Sequence, residues 1–275
     1  MKKSIWLWII AFIATVFTAA YQRITGPTYP VNGEVILGRE TIEYKLDRTH
    51  GGGGNHLVVI SAAGESICGE LYWKRYKTND EWSSVEMRRE NEKLVAYLPH
   101  QPPAGKLVYR IILQNDNSVV RLPEKGEVVI RFKGAVPIFI LIPHIIFIFG
   151  AMLLSARTGL EYFNPEKNFK TLTVLTFVFI IIGGFILGPF AQFYAFGEFW
   201  TGFPFGHDLT DNKILIAFIF WLAALIAVIK SKRPAKYVIT ASVVTFIIFL
   251  IPHSLLGSEL DYSELDKNKI ELNQE

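Results

Sequence analysis

Five apolar runs interrupt a chain that is otherwise polar and rich in turn residues: residues 4–20, 136–155, 171–190, 214–229 and 237–256. A helix needs about 20 apolar residues to cross about 30 Å of hydrocarbon. The pattern therefore predicts five transmembrane helices, of which the fourth must take a turn from the polar side. Between the first two runs the period changes from helical to alternating. Short stretches at 34–37, 41–46, 57–61, 67–76, 94–98, 106–114, 119–122 and 128–132 are bounded by Gly, Pro, Asn and Asp, which is how strands joined by turns are written. Four parts follow: residues 1–21 as a first span or signal anchor, 22–135 as an all-β domain, 136–257 as a four-helix transmembrane domain, and 258–275 as a polar tail, helical or disordered.

Charge orients these parts. Lys2 and Lys3 precede the first run, Arg157, Lys167 and Lys170 follow the second, and Lys230, Lys232, Arg233 and Lys236 follow the fourth. Short loops rich in Lys and Arg stay on the cytoplasmic side. The N-terminus is thus expected inside the inner membrane, with the β-domain, the loop at 189–213 and the acidic C-terminal tail extracytoplasmic. Thr18, Ala19 and Ala20 resemble a cleavage site, but the run before them is long for a signal peptide, and the expectation is that it is retained. With a net charge of only +3, nothing points to nucleic acid. The one cysteine, Cys68, excludes an internal disulfide and is expected to be buried in a strand.

Within the β-domain, LYWKRYKTNDEWSSVEM followed by LVAYLPHQPPAGKLVYRIILQNDNS resembles immunoglobulin-like and fibronectin type III-like modules of bacterial exported proteins over about residues 31–133. In that layout Tyr109 takes the place of the corner tyrosine, and the disulfide of antibody domains is missing. The resemblance implies a sandwich that binds, spaces or docks. The fold class expected is a membrane α-helical bundle of five transmembrane helices with an inserted all-β immunoglobulin-like sandwich domain. His50, His56 and His100 lie here too and are expected to be exposed loop histidines rather than ligands, since two of them flank the glycine run without a convincing third ligand.

The most unusual stretch is the loop at 189–213, where large aromatics alternate with Gly197, Gly202, Gly206 and Pro204 before the chain turns polar. Phe199, Trp200, Glu198, His207, Asp208 and Asp211 are the candidate binding residues. An interfacial aromatic belt is the simpler account of the rings, and Thr210 and Asp211 are expected to cap the helix that follows. A second candidate is a pair of histidines: Leu141-Ile142-Pro143-His144 in the second run recurs as Leu250-Ile251-Pro252-His253 in the fifth. Each proline frees a backbone carbonyl, and ionisable groups within a bilayer face the bundle interior, a cavity or a partner. His144 and His253 are thus candidate ligands of a haem or metal, with a hydrogen bond between helices as the simpler role. Gly183 and Gly184 are expected to admit a neighbouring helix, and Gly188 and Pro189 to end the third span.

The expected function is that of a non-enzymatic accessory protein, held in the lipid bilayer, that docks another exported or integral membrane protein. The alternative is a haem- or metal-binding redox component using His144 and His253. No fingerprint of a hydrolase, zinc protease, P-loop or dinucleotide site occurs in the chain, and the spans carry no inverted repeat.

Overall fold

The computed structural model describes residues 2–252, 255, 257 and 259–272. The chain divides into two compact units, Met1–Pro27 with Val136–Ser258, and Thr28–Ala135 with Glu259–Glu275.

The first unit is helical. Its elements are α1 (Lys2–Thr25), α2 (Ile138–Leu160), α3 (Phe169–Ile180), a π-helical segment (Ile181–Leu187), α4 (Gly188–Phe196), α5 (Leu209–Lys230) and α6 (Ala235–Leu250). Among the described residues, four stretches are long and apolar enough to cross a membrane: Lys3–Thr25, Ile138–Phe163, Phe169–Phe196 and Leu209–Lys230. The chain is therefore membrane-associated. As the sequence required, α5 borrows its first turn from polar residues.

Two boundaries differ from expectation. Gly188 and Pro189 do not end the third span, because Pro189 falls in the first turn of α4, where its missing N–H costs little, and the π-helical segment absorbs the misfit. The fifth apolar run stops at Leu250, leaving a 16-residue helix. Pro252 imposes that stop: Ile251, the residue before it, is extended, as such positions are. Pro143, by contrast, sits inside α2.

Small and hydroxyl residues let the helices approach closely. A Cβ at Gly184 would lie 2.5 Å from Ile214 Cγ2, and one at Gly183 would lie 3.0 Å from the backbone N of Ile148. Trp221, fully buried, donates its indole N–H to Thr245 Oγ1 at 2.9 Å. The Ser242 hydroxyl donates to the Ser155 carbonyl at 2.9 Å, joining α6 to α2. Polar contacts also fix directions. At one end Gln22 donates to the Phe249 carbonyl and Lys213 to the Ile251 carbonyl, so α1 and α6 finish where α5 begins. At the other end the buried Arg157, paired with Glu161, reaches Ser4 Oγ at 3.2 Å, so α2 runs back towards the start of α1.

The second unit carries β1 (Val31–Leu37), β2 (Glu40–Leu46), β3 (Thr49–Gly51), β4 (His56–Ser61), β5 (Cys68–Arg75), β6 (Ser83–Glu86), β7 (Arg88–Glu90), β8 (Lys93–Leu98), β9 (Lys106–Asn115), β10 (Ser118–Leu122), β11 (Val128–Lys133) and a final helix α7 (Tyr262–Leu272). β1 and β2 form a hairpin. A six-stranded sheet runs in the order β3-β11-β9-β5-β6, with β10 paired to the far half of β9, and a three-stranded sheet runs β4-β8-β7. Among the described residues every pairing is antiparallel except β3 on β11. Alternation along the strands sends Leu37, Ile42, Ile60, Leu71, Leu98 and Ile111 from all three sheets into one core. Tyr109 is fully buried in it, and its hydroxyl donates to the Asp47 carbonyl at 2.8 Å.

Two expectations about side chains are corrected here. Cys68 opens β5 on the outward side of the pleat and is exposed; it is the next residue, Gly69, that faces in. His50 and His56 are strand residues, and His56 is buried, because it begins β4 on the inward face.

Candidate functional site

Helix α4 ends at Gly197, whose φ of +88° is left-handed, and the loop proper covers only residues 197–208. Its fold is imposed by the first turn of α5. The buried Asp211 carboxylate accepts from the Thr201 amide at 2.6 Å, from the Thr201 hydroxyl at 3.3 Å and from Gln192 Nε2 at 3.1 Å. Asn212 Oδ1 accepts from the Phe203 amide at 2.8 Å. Gly202 is required at this crossing, since a Cβ there would sit 2.6 Å from Cβ of Asp211.

The N-cap of α5 is Asp208, which accepts from the Thr210 amide at 2.7 Å; Thr210 and Asp211 lie inside the helix. The expected cap was off by a few residues because several consecutive polar side chains were able to serve.

The aromatics divide into two sets. Phe199 stacks on Phe193 at 4.4 Å and meets Phe190 edge-on at 5.7 Å, while Trp200 stacks on Phe185 at 5.6 Å and donates its N–H to the Phe203 carbonyl. Those rings lay the loop onto its own helices. Phe203 and Phe205 face outward, 69% and 84% exposed. Glu198 and His207 are exposed as well. The structure thus brings Asp211, Thr201 and Gln192 together, and it does not bring His207 or Glu198 to them. All three donors converge on Oδ2, so this carboxylate holds the loop in place.

His144 donates from Nδ1 to the Gly183 carbonyl at 3.0 Å, tying α2 to the π-helical segment. The other candidate ligand, His253, lies outside the described residues. Among the described residues no three His, Cys, Asp or Glu side chains gather to hold a metal ion.

The strand-rich unit holds two arrangements that sequence reasoning did not anticipate. In the first, His50 donates from Nε2 to the Gly54 carbonyl at 3.1 Å, which leaves its Nδ1 to accept from His56 Nδ1 at 3.2 Å. His100 Nδ1 reaches the same Gly54 carbonyl at 3.0 Å, and His50 and His100 both meet the Phe132 ring edge-on. Burial, then the neighbouring His50, holds the His56 imidazole below its ordinary pKa, with Asp47 opposing.

The second arrangement involves the C-terminal segment, which packs on the ends of β5 and β9. The Tyr262 ring lies under the Arg75 guanidinium at 5.0 Å, and its hydroxyl accepts from the Lys106 amide at 3.0 Å and reaches Gln101 Oε1 at 3.0 Å. Glu259 bridges Lys77 at 2.7 Å and Lys106 at 2.5 Å, Asp266 pairs with Arg75 at 2.8 Å, and the Leu260 amide donates to the Ala104 carbonyl. Burial raises the Tyr262 hydroxyl to about 12. Burial also pulls the Lys106 ammonium down against the opposing pull of Glu259. Burial works against ionisation of Glu259, but the two lysines hold its carboxyl below the usual range. The only sequence signal for this groove is the doubled Ser-Glu-Leu-Asp on either side of Tyr262.

No protein-family model and no curated protein matches the chain.

Proposed function

We propose that this chain is a non-enzymatic membrane protein that displays a β-domain and an aromatic loop on the extracytoplasmic face to dock another exported or integral membrane protein. The observation that carries this reading is the division of labour in the loop. Asp208, Asp211 and Asn212 are spent on the local backbone, and Phe203 and Phe205 are left outward with Glu198 and His207 exposed, which suits recognition better than chemistry.

The division of the chain supports the five-span reading and its sidedness. Residues 28–135 and 259–275 belong to one unit, and a unit kept on one side of a membrane calls for an even number of crossings between its two parts. The long stretches of α2, α3 to α4, and α5 suit three of these crossings, and the fourth is assigned to the shorter apolar helix α6. With α1 the total is five, and the cationic loops then fall together on the cytoplasmic side. The strand order of the two larger sheets, with β3 parallel to β11, supports an immunoglobulin-like sandwich, although Tyr109 bonds to Asp47 and not to backbone a few residues upstream as a corner tyrosine does.

A photo-crosslinking amino acid at position 205, activated in intact cells, tests the docking role. A recurrent protein adduct is expected; adducts to lipid alone would make the loop an interfacial belt and end this reading. The exposed Cys68 tests sidedness directly. A membrane-impermeant maleimide should label it from outside, and labelling only after the cells are opened would reverse the orientation.

A further inference from the structure

The C-terminal segment is held as a ligand is held. Tyr262 is 6% exposed and supplies the buried anchor. The ion pairs around it are largely solvent-facing, with side-chain exposures of 37% at Glu259 and 45% at Asp266. Pairs of that kind contribute little to stability, so the hold on the segment is concentrated in one ring and its hydroxyl. The segment does not fill its groove. Clefts of about 640 Å³ and about 430 Å³ remain on the groove, the first lined by Lys77, Lys106 and Glu259, the second by Trp73, Pro99 and His100.

Specificity is written into the contacts. Arg75, Lys77 and Lys106 form a cationic rim, and Gln101 with the Lys106 amide forms a polar floor for a phenolic hydroxyl. The Ser-Glu-Leu-Asp motif occurs twice, whereas Tyr262 stands alone between the copies, so the tyrosine sets the register in which the acids meet the rim. Arg75 is held as a cation by its hydrogen bonds to Asp80 and Asp266, and Asp80 stays on the β-domain when the tail leaves.

We infer that the groove at the ends of β5 and β9 is a recognition site for acidic, tyrosine-bearing peptide segments, with the C-terminal segment as its built-in occupant and a partner protein's segment as its competitor. This rests on the docking reading above and gives the partner a chemistry. A tethered occupant competes at an effective concentration of order millimolar. An incoming peptide therefore binds the intact chain more weakly than a chain with the groove vacated.

The test uses the full chain in detergent, a chain ending at residue 257, and full-length Tyr262→Ala. The probe is a fluorescent peptide covering residues 258–272, with a scrambled peptide as control. Both vacated forms should bind the probe at least roughly tenfold more tightly than the intact chain. The intact chain should still bind saturably, with loss of hydrogen-exchange protection at its own Leu260 amide, which no longer donates to Ala104 once the segment is displaced. Arg75→Ala in the Tyr262→Ala background, which takes away the guanidinium over the tyrosine ring, should weaken binding of the probe several-fold, and added salt should weaken it slightly. Equal binding of the scrambled peptide would overturn the inference. So would a tail that no peptide displaces from the intact chain, or vacated forms that lose the β-domain's melting transition, since the segment would then be a fixed part of the fold. Failure of the peptide alongside protein adducts at position 205 would remove the groove and leave the docking loop; the reverse pattern would remove the loop and leave the groove.

Discussion

Asp211, one turn into α5, accepts a hydrogen bond from the backbone amide of Thr201 at 2.6 Å, so the helix dictates the path of the loop before it. Removing that carboxylate leaves the Thr201 amide and Gln192 without their acceptor. Asp211→Ala should cost about 1–3 kcal/mol, read as a lowered melting temperature in detergent. Asp211→Asn keeps an acceptor oxygen and should lose less. Equal losses would mean that the charge, not the hydrogen bonds, holds the loop.

The Arg157–Glu161 pair is buried, and Asn164 and the Asn168 amide also bond to Glu161. Breaking one half strands the other, so Arg157→Met should cost about 3–5 kcal/mol. Arg157→Met with Glu161→Leu should cost clearly less, because no charge is then left alone. Chemical denaturation of both variants decides it.

His56 makes the β-domain sensitive to acid. Its folded pKa is lowered by burial and by His50, so the folded domain binds fewer protons than the unfolded chain below the ordinary value of 6.5. The stabilisation is complete above that value and is lost as pH falls through the lowered folded pKa. Of the groups facing the ring, His50 lowers the His56 pKa further and Asp47 raises it. Thermal melting between about pH 7.5 and 5 should show the decline, and His50→Gln, which removes the repelling imidazole, should make it shallower.

Gly184 leaves no room for a side chain against Ile214. Gly184→Leu should force α5 away and destabilise the helical unit by about 1–3 kcal/mol. Pairing it with Ile214→Ala should recover part of that loss, measured by the melting temperature of the purified double variant.

The eight longest strands and the apolar helices were legible because burial on one face writes a period of two or an unbroken apolar run into the sequence. β3, β6 and β7 were not, since Thr49–Gly51, Ser83–Glu86 and Arg88–Glu90 are short and carry no apolar alternation. Pro189 was misread as a terminator because the sequence does not announce the π-helical segment ahead of it. Most of the loop's candidate residues were found by composition, but their division of roles was not. Asp211 turned inward and His207 outward, though both are polar and four residues apart. The tail groove was invisible because its residues come from positions 75, 77, 101, 106, 259, 262 and 266, which only tertiary structure brings together.

The early end of α6 has a consequence for the lipid around it. At 16 residues and 1.5 Å per residue, its axis covers about 24 Å, several ångströms less than an average hydrocarbon layer. If α6 crosses as the five-span proposal has it, acyl chains beside it must compress or tilt to meet its ends, and the bilayer is dimpled on one side of the bundle. Such a dimple attracts shorter lipids and other poorly matched helices, and it would gather neighbours to this flank with no specific contact between them.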